Sequence, residues 1–164
     1  MTPDDLQALI ERLAQGPVVA TETGRHLYLW HGDPEVVENI VPPSLRQHLD
    51  LCVLVRQLPR TPYAADETRR LLRAEIEREL RERMTHALHQ VLLVSGCSLL
   101  ARYRVPLRPF YSFVSDRRGV ILVVPRQESE FIPPAELPGF IRLDPAATFT
   151  ALSRAIGEQS VVQD

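Results

Sequence analysis

QVLLVSGCSLL, which runs from Gln90 to Leu100, is the stretch of sequence that decides the fold. It is short and almost fully apolar, and it lies between a long charged segment and an arginine-rich one. An apolar run of this length that is closed by Ser-Gly is typical of a buried central strand in an α/β sheet. In nucleotide-binding folds of that kind such a strand ends in an acidic residue that holds the metal, whereas here Ser95, Gly96 and Cys97 follow. The stretch therefore predicts an architecture more clearly than it predicts a chemistry.

The segment before this strand, Thr61 to Leu88, is predicted to be a long amphipathic helix. Its apolar side chains recur at every fourth position and are Leu72, Ile76, Leu80, Met84 and Leu88. The other face carries acidic residues and arginines at the spacing of helical ion pairs. We therefore expect a helix that packs on the sheet with its apolar stripe and keeps its charged face in water.

The remaining elements alternate between helix and strand along the chain. We predict helices over Pro3–Gln15, Glu35–Ile40, Ser44–His48, about Pro109–Ser115 and from Asp144-Pro145 to Gly157, and strands over His26–Trp30, Leu49–Leu58, Gly119–Pro125 and, at a sheet edge, Phe140–Leu143. Leu49–Leu58 would also suit a helix, and residues 127–138 form a proline-containing loop. The alternation predicts a three-layer α/β fold with a mostly parallel sheet of about four to five strands. We expect the 164 residues to form one domain, 1–164.

Composition excludes two classes of chemistry. All 19 of the Lys and Arg residues are arginines, so the chain contains no lysine. A phosphate-gripping P-loop needs a lysine to reach the β and γ phosphates, and Schiff-base chemistry needs one as its nucleophile. The net charge of −2 is ordinary, and no apolar run approaches the roughly 20 residues of a membrane span. The acidic N-terminal stretch and two cysteines within apolar runs favour a cytoplasmic protein with reduced thiols and no membrane partner.

The residues after the first predicted strand occupy the position of a phosphate-binding loop without its properties. A loop that binds phosphate is glycine-rich, so that successive N–H groups can face the anion. The stretch WHGDPEVVENI, residues 30–40, has a single glycine, and Asp33, Glu35 and Glu38 would repel phosphate. Ser95 also stands where the metal-holding acidic residue would be. The two differences together predict a degenerate P-loop-like or Rossmann-like scaffold with no bound cofactor.

Three stretches together resemble a known family. The order of these stretches looks like that of the small P-loop protein of BREX-type phage-defence operons. The stretches are LCVLVRQLPR (51–60), the charged helix that follows, VLLVSGCSLLARY (91–103) and FVSDRRGVILVVP (113–125). The resemblance covers roughly residues 26–125 and rests on pattern. That family has a glycine-rich loop with lysine where this chain has HGDPEVVE (31–38). The family also has an acidic residue after the third strand, which this chain lacks. The resemblance therefore implies a degenerate relative that keeps a scaffold and a role in an antiviral defence assembly but does not hydrolyse ATP.

Arginine is concentrated just after the central strand. Residues 101–126 contain six arginines and one acidic residue, whereas residues 1–59 and 127–164 each sum to −4. Aromatic side chains at 103, 110, 111 and 113 are interleaved with these arginines. Such a segment can pair with acidic parts of the same chain, form a protein-binding hot spot, or grip phosphates and stack on bases. We favour a protein partner, with nucleic acid as the alternative, and the candidate binding residues are Arg102, Arg104, Arg108, Tyr111, Arg117 and Arg118.

Catalytic and metal-binding residues are less well indicated. Cys97 could act as a nucleophile with His89 as its base, which would make the chain a thiol-dependent enzyme. A cysteine in an apolar run is usually an inert core residue, however. His86 and His89 have a spacing that can bind metal, but no third ligand lies near them in the sequence. We therefore assign no catalytic residue, metal or cofactor.

Overall fold

A computed structural model describes residues 3–19, 26–59, 65–125 and 140–142. Its elements in chain order are α1 (Pro3–Gln15), β1 (His26–His31), α2 (Pro34–Ile40), β2 (Arg46–Asp50), α3 (Leu51–Gln57), α4 (Ala65–Arg83), β3 (Gln90–Ser95), α5 (Ser98–Arg102), α6 (Arg108–Phe113), β4 (Arg118–Val124) and β5 (Phe140–Arg142). The strands form one sheet in the order β2-β3-β4-β1-β5. Since helices cover both faces of this sheet, the predicted three-layer α/β architecture is confirmed.

Four of the five strands are parallel. β1 pairs with β4, β4 with β3, and β3 with β2 in parallel, whereas β5 pairs with β1 in antiparallel orientation at one edge. β3 is buried from Gln90 to Val94, and β4 is buried from Gly119 to Val124. Strands that are covered on both faces need such continuous apolar runs, which is why these two were recognisable in the sequence.

Each face of the sheet has its own apolar core. On one face, side chains of α1 and α2 such as Leu6, Ile10 and Val37 pack against Tyr28 and Trp30 of β1. On the other face, α3, α4, α5 and α6 pack in a larger cluster, in which Leu72, Ile76, Phe110 and Phe113 meet Leu92 and Leu122. The helices from α3 to α6, and the arginine-rich segment within them, therefore all lie on the second face.

The long charged helix is shorter than its apolar stripe predicts. Leu72, Ile76 and Leu80 are buried as expected, but α4 ends at Arg83. Beyond the helix the stripe is in contact with water, since Met84 is 41% and Leu88 58% exposed. The first predicted residues of the helix, 61–64, lie outside the described residues. Only the middle of the stripe therefore serves the core, and Met84 presents an apolar side chain at the surface.

The expected helix over residues 44–48 and the expected strand over residues 49–58 are wrong, whereas the helical alternative for the second range is confirmed. Arg46–Asp50 forms β2 where a short helix was expected, and Leu51–Gln57 forms α3 where a strand was expected. The Asp50 carboxylate accepts a hydrogen bond of 2.9 Å from the Cys52 N–H and so caps the helix. Leu51 and Leu54, three residues apart, are the buried side chains of α3. The run LCVLV is thus part of a short capped helix that buries only Leu51 and Leu54, although its composition is typical of a strand.

The decisive stretch divides into a strand and a helix. β3 ends at Ser95, Gly96 has a φ of +72°, and α5 begins at Ser98. The carbonyl oxygen of Gly96 accepts a hydrogen bond of 3.1 Å from the Leu99 N–H, which starts the helical turn. The apolar run continues through the turn because α5 also faces the core, where Leu100 is fully buried. The remaining predicted elements agree to within two residues at each end, and the predicted loop 127–138 and the helix from Asp144 lie outside the described residues.

Among the residues that the structure describes, no helix combines the length and apolar character needed to cross a membrane.

Candidate functional site

The connection between β1 and α2 is a short, hydrogen-bonded turn. It consists of Gly32 and Asp33 alone. The Gly32 N–H donates to the Val124 carbonyl oxygen at 3.0 Å, and the Glu35 N–H donates to the Asp33 carboxylate at 3.0 Å. Pro34, the first residue of α2, has no N–H to donate. The N–H groups of Gly32 and Glu35, which could face a phosphate in a nucleotide-binding loop, are therefore already hydrogen-bonded, and Pro34 has none.

The end of β3 packs closely against α3. Gly96 lies against the start of α3, where a Cβ added to Gly96 would come within 2.9 Å of Cys52 Sγ. Asp50, an acidic residue, is the register partner of Ser95 on β2. Its carboxylate is used to cap α3, through the hydrogen bond from the Cys52 N–H. The position of a metal-holding carboxylate after the third strand is thus taken by a close backbone contact.

A crevice of about 390 Å³ lies at the carboxyl ends of the parallel strands. This is the place where ligands bind in open α/β sheets. Leu93 and Val123 contribute apolar side chains to it, while Glu38 and His48 contribute the ionisable ones. No arginine lines it within the described part of the chain. The crevice could accept a neutral or cationic small molecule, but its charge does not favour a phosphate.

The candidate arginines do not form one patch. Arg102 ends α5, and Arg108 begins α6. Arg104 lies between these helices with a φ of +52°, which is uncommon for a residue other than glycine. All three side chains are exposed. Arg117 and Arg118 are half-buried at the amino end of β4, after α6 has crossed the sheet. The structure therefore brings Arg102 and Arg104 to one end of this layer and Arg117 and Arg118 to the other.

Arg118 stabilises the entry to β4. Its Nε donates a hydrogen bond of 2.8 Å to the Phe113 carbonyl oxygen, and its guanidinium lies 5.4 Å from the centroid of the Phe113 ring. The N–H groups of Arg117 and Arg118 both donate to Ser115 Oγ, at 3.1 and 3.2 Å. These contacts order the turn before the strand, so Arg118 and the backbone of Arg117 have an intramolecular role.

The aromatic side chains of the segment do not form a stacking platform. Phe110 and Phe113 are fully buried, with exposed fractions of 0% and 1%. Tyr103 and Tyr111 are half-buried and pack against the same core cluster. Binding of single-stranded nucleic acid relies on aromatic faces that bases can reach. The interleaved pattern of arginine and aromatic residues therefore reflects packing of α5 and α6 rather than an array of exposed rings.

Most arginines of α4 are paired with acidic residues of the same helix. Arg69 pairs with Asp66, Arg70 with Glu67, Arg73 with Glu77, Arg78 with Glu75, Glu79 and Glu82, and Arg83 with Glu79. A hydrogen bond from Arg70 lowers the pKa of Glu67, and the same bond raises the pKa of Arg70. Hydrogen bonding to Glu75 likewise raises the pKa of Arg78. The charges of these ion pairs along α4, the charge ladder, largely neutralise one another. They therefore offer little to a partner.

Five exposed arginines differ from these paired residues. Arg12, Arg56, Arg81, Arg104 and Arg108 make no ion pair or side-chain hydrogen bond with any residue that the structure describes. Arg81 is unpaired because Glu77, four residues earlier, bonds to Arg73 at 3.0 Å, and Thr85, four residues later, is uncharged. Sequence reasoning singled out Arg104 and Arg108 but treated Arg81 as part of a solvated face. The missing acidic residues on its C-terminal side were the signal that could have identified it.

Two of these arginines border a groove between α4 and α6. The groove has a volume of about 260 Å³, and its lining includes Leu80 and Met84 from the α4 side and Pro109 and Phe113 from α6. Arg81 and Arg108 also line it, one from each helix. The groove thus combines an apolar surface with two cations, an arrangement that only the packing of α4 on α6 creates.

The proposed pairing of Cys97 with His89 is not formed. Cys97 is fully buried, and its Sγ donates to the Val94 carbonyl oxygen at 3.3 Å. His89 precedes β3 and Cys97 follows it, so the length of the strand, about 20 Å, separates them. Among the described residues no group of three or more His, Cys, Asp or Glu side chains could hold a metal ion. The geometry therefore gives the thiol-enzyme hypothesis neither an accessible nucleophile nor a base.

We expect Cys97 to be almost inert towards thiol reagents in the folded protein, because its sulfur is enclosed in the core. In a Cys52→Ser variant, labelling by a thiol reagent should be about a hundredfold slower in buffer than in denaturant, since reaction requires local opening. The half-exposed Cys52 should be modified first in the unaltered chain. Rapid labelling of Cys97 in the folded Cys52→Ser variant would contradict the buried assignment and restore the enzyme hypothesis.

A scan of protein-family models and searches of the curated proteins and the solved structures find no match for this chain.

Proposed function

We propose that this protein is a non-catalytic, P-loop-like interaction subunit that acts in the cytoplasm by binding another protein. The observation that carries the proposal is the α4–α6 groove, where exposed Met84 lies beside Arg81 and Arg108, which have no partner in the described part of the chain. Methionine and arginine are both enriched at protein interfaces, and arginine is a frequent hot-spot residue. The proposed setting, a bacterial phage-defence assembly, rests on the resemblance of residues 26–125.

A protein is favoured over nucleic acid as the partner. Of the six candidate residues, Tyr111 is half-buried and Arg117 and Arg118 help to order the turn into β4. Among the described residues that line the groove only Arg81 and Arg108 are unpaired, and Glu77 lies beside them in the lining. Binding to a phosphate backbone improves with each cation that neutralises a phosphate, so a surface of this kind offers it little.

The β1–α2 turn supports the non-catalytic part of the proposal. The N–H groups of Gly32 and Glu35 are already hydrogen-bonded, and the acidic residues Asp33 and Glu35 lie at the place where a phosphate would bind. The chain also contains no lysine, on which P-loop hydrolysis depends.

We expect ATP and GTP, each supplied at about 1 mM with Mg²⁺, to leave the melting temperature unchanged within about 1 °C. A ligand stabilises a fold in proportion to the logarithm of its concentration over Kd, so the absence of a shift indicates a Kd well above the concentration used. Thermal-shift measurements over a nucleotide series would test this. A rise of several degrees that grows with nucleotide concentration would contradict the closed-turn argument.

The proposal is tested by capturing partners of the full-length, tagged chain after cross-linking in the source cell. We expect one or a few proteins in near-stoichiometric amounts, with recovery unaffected by nuclease treatment before elution. Loss of the captured proteins on nuclease treatment would instead indicate that nucleic acid is the direct ligand. Recovery of no protein above an untagged control would refute an interaction subunit.

A further inference from the structure

The α4–α6 groove has a chemistry that identifies its ligand, provided that the proposed function holds. We propose that the groove binds a segment of the partner protein in which an apolar side chain lies next to acidic residues. The apolar side chain would enter between the two helices, and the carboxylates would pair with Arg81 and Arg108. Size, apolarity and charge of the groove each support this assignment.

The size of the groove suits a side chain rather than a cofactor. Its volume of about 260 Å³ is smaller than the roughly 300–1,000 Å³ of typical small-molecule pockets. Leu80 and Phe113 are 3% and 1% exposed, so the inner surface belongs to the core and is held rigid by it. A rigid surface loses little conformational entropy when it binds, and this preorganisation favours the docking of an extended or helical segment.

The apolar part of the groove is open to solvent at one side. Met84 is 41% exposed and Pro109 is buried, so an unbranched, adaptable side chain lies beside a fixed one. Methionine is common at surfaces that adjust to their partner because its thioether chain is flexible and polarizable. We therefore expect a leucine, phenylalanine, isoleucine or methionine of the partner to contact Met84 directly.

The charge of the groove selects acidic residues. Arg73 and Glu77 neutralise each other at 3.0 Å, which leaves Arg81 and Arg108 as two cations without a counter-ion among the described residues. Guanidinium groups bind carboxylates through two parallel hydrogen bonds, and one group from each helix would hold a segment that carries two acidic residues. A nucleic acid would meet the same cations but would find the Phe113 ring buried and unable to stack.

Peptide selection on the full-length chain tests the chemistry of the ligand. From a displayed library of random peptides we expect enrichment of sequences that combine Asp or Glu with Leu, Phe, Ile or Met. The double variant Arg81→Ser, Arg108→Ser should bind the selected peptides at least about tenfold more weakly, because both counter-ions are removed. Its melting temperature should be unchanged, since neither guanidinium bonds to a described residue.

A matched control removes the same charge elsewhere. Arg12 on α1 and Arg56 on α3 are exposed and lie outside the groove. The variant Arg12→Ser, Arg56→Ser should bind the selected peptides within about twofold of the unaltered chain. Equal losses in the two double variants would mean that binding follows net charge alone, and selection of basic or purely apolar peptides would also overturn the proposal.

Photo-cross-linking from the groove identifies its occupant in the cell. With p-benzoylphenylalanine in place of Met84, we expect a cross-link to a partner protein within an acidic and apolar segment. A cross-link to nucleic acid, or to the acidic residues 127–164 of the same chain, would overturn the assignment. If partners were captured by general cross-linking but never from position 84, the groove would not be the binding site, while the proposed function would remain intact. Capture of no partner by either route would refute the proposed function itself.

Discussion

Phe110→Ala is expected to lower the free energy of unfolding by about 3–5 kcal/mol, a range typical of large-to-small substitutions at buried aromatic residues. Phe110 is fully buried in the cluster that joins α4, α5 and α6 to the sheet. Its loss would remove apolar contacts and leave a cavity into which α6 can relax only partly, because Pro109 and Phe113 of the same helix remain buried in the core. Urea unfolding followed by circular dichroism would measure the change directly.

The control for this substitution is on the same helix. Ser112 is exposed, and Ser112→Ala should change the free energy of unfolding by less than about 0.5 kcal/mol. If Phe110→Ala cost less than about 1 kcal/mol, the assignment of α6 to the core would be wrong. The comparison also matters for the binding proposal, because α6 can border a rigid groove only if Phe110 and Phe113 anchor it.

Gly96→Ala is expected to cost about 2–5 kcal/mol, which combines two separate effects. An alanine at a φ of +72° adopts a left-handed conformation that costs about 1–2 kcal/mol. Its Cβ would also lie 2.9 Å from Cys52 Sγ and 3.2 Å from the Cys52 backbone nitrogen, and overpacking of this kind typically costs about 1–3 kcal/mol. Chemical denaturation of the variant beside the unaltered protein would give the total.

Two further variants separate these effects. Gly16 follows α1 without a positive φ, and a Cβ there would meet no atom within 4 Å, so Gly16→Ala should be neutral or stabilising by up to about 1 kcal/mol. In a Cys52→Ala background the sulfur is gone, so Gly96→Ala should recover part of its cost but keep the conformational part. If Gly96→Ala were as well tolerated as Gly16→Ala, the close approach of β3 to α3 would be disproved.

Much of the fold could be predicted from local patterns. The spacing of Leu6, Ile10 and Leu13 defines α1, and the continuous apolar runs define β3 and β4, because strands covered on both faces cannot alternate. The boundary between β2 and α3 could not be predicted in this way. It depends on a local cap, in which the Asp50 carboxylate accepts from the Cys52 N–H, and on burial of Leu51 and Leu54, which tertiary packing in the core decides.

The candidate site was only partly visible in the sequence. Arginine density pointed to Arg104 and Arg108, but composition cannot distinguish a guanidinium that faces solvent from one that lies over an aromatic ring, as Arg118 lies over Phe113. Arg81 precedes Arg108 by 27 positions, and only the packing of α4 against α6 places both beside one groove. Burial of Phe110 and Phe113 among the interleaved aromatic residues is likewise decided by the packing of the neighbouring helices.

The strand order also determines when the protein can fold during its synthesis. β1 leaves the ribosome well before its parallel neighbour β4, in which Gly119 is the register partner of His26. At about 5–20 residues per second, roughly 5–20 s pass between the translation of these two positions. During that interval the apolar segment HLYLWH has no strand to pair with, since β5 is made later still. The nascent chain therefore exposes an unpaired apolar segment for this time, and we expect conditions that slow translation before Arg118 to favour aggregation.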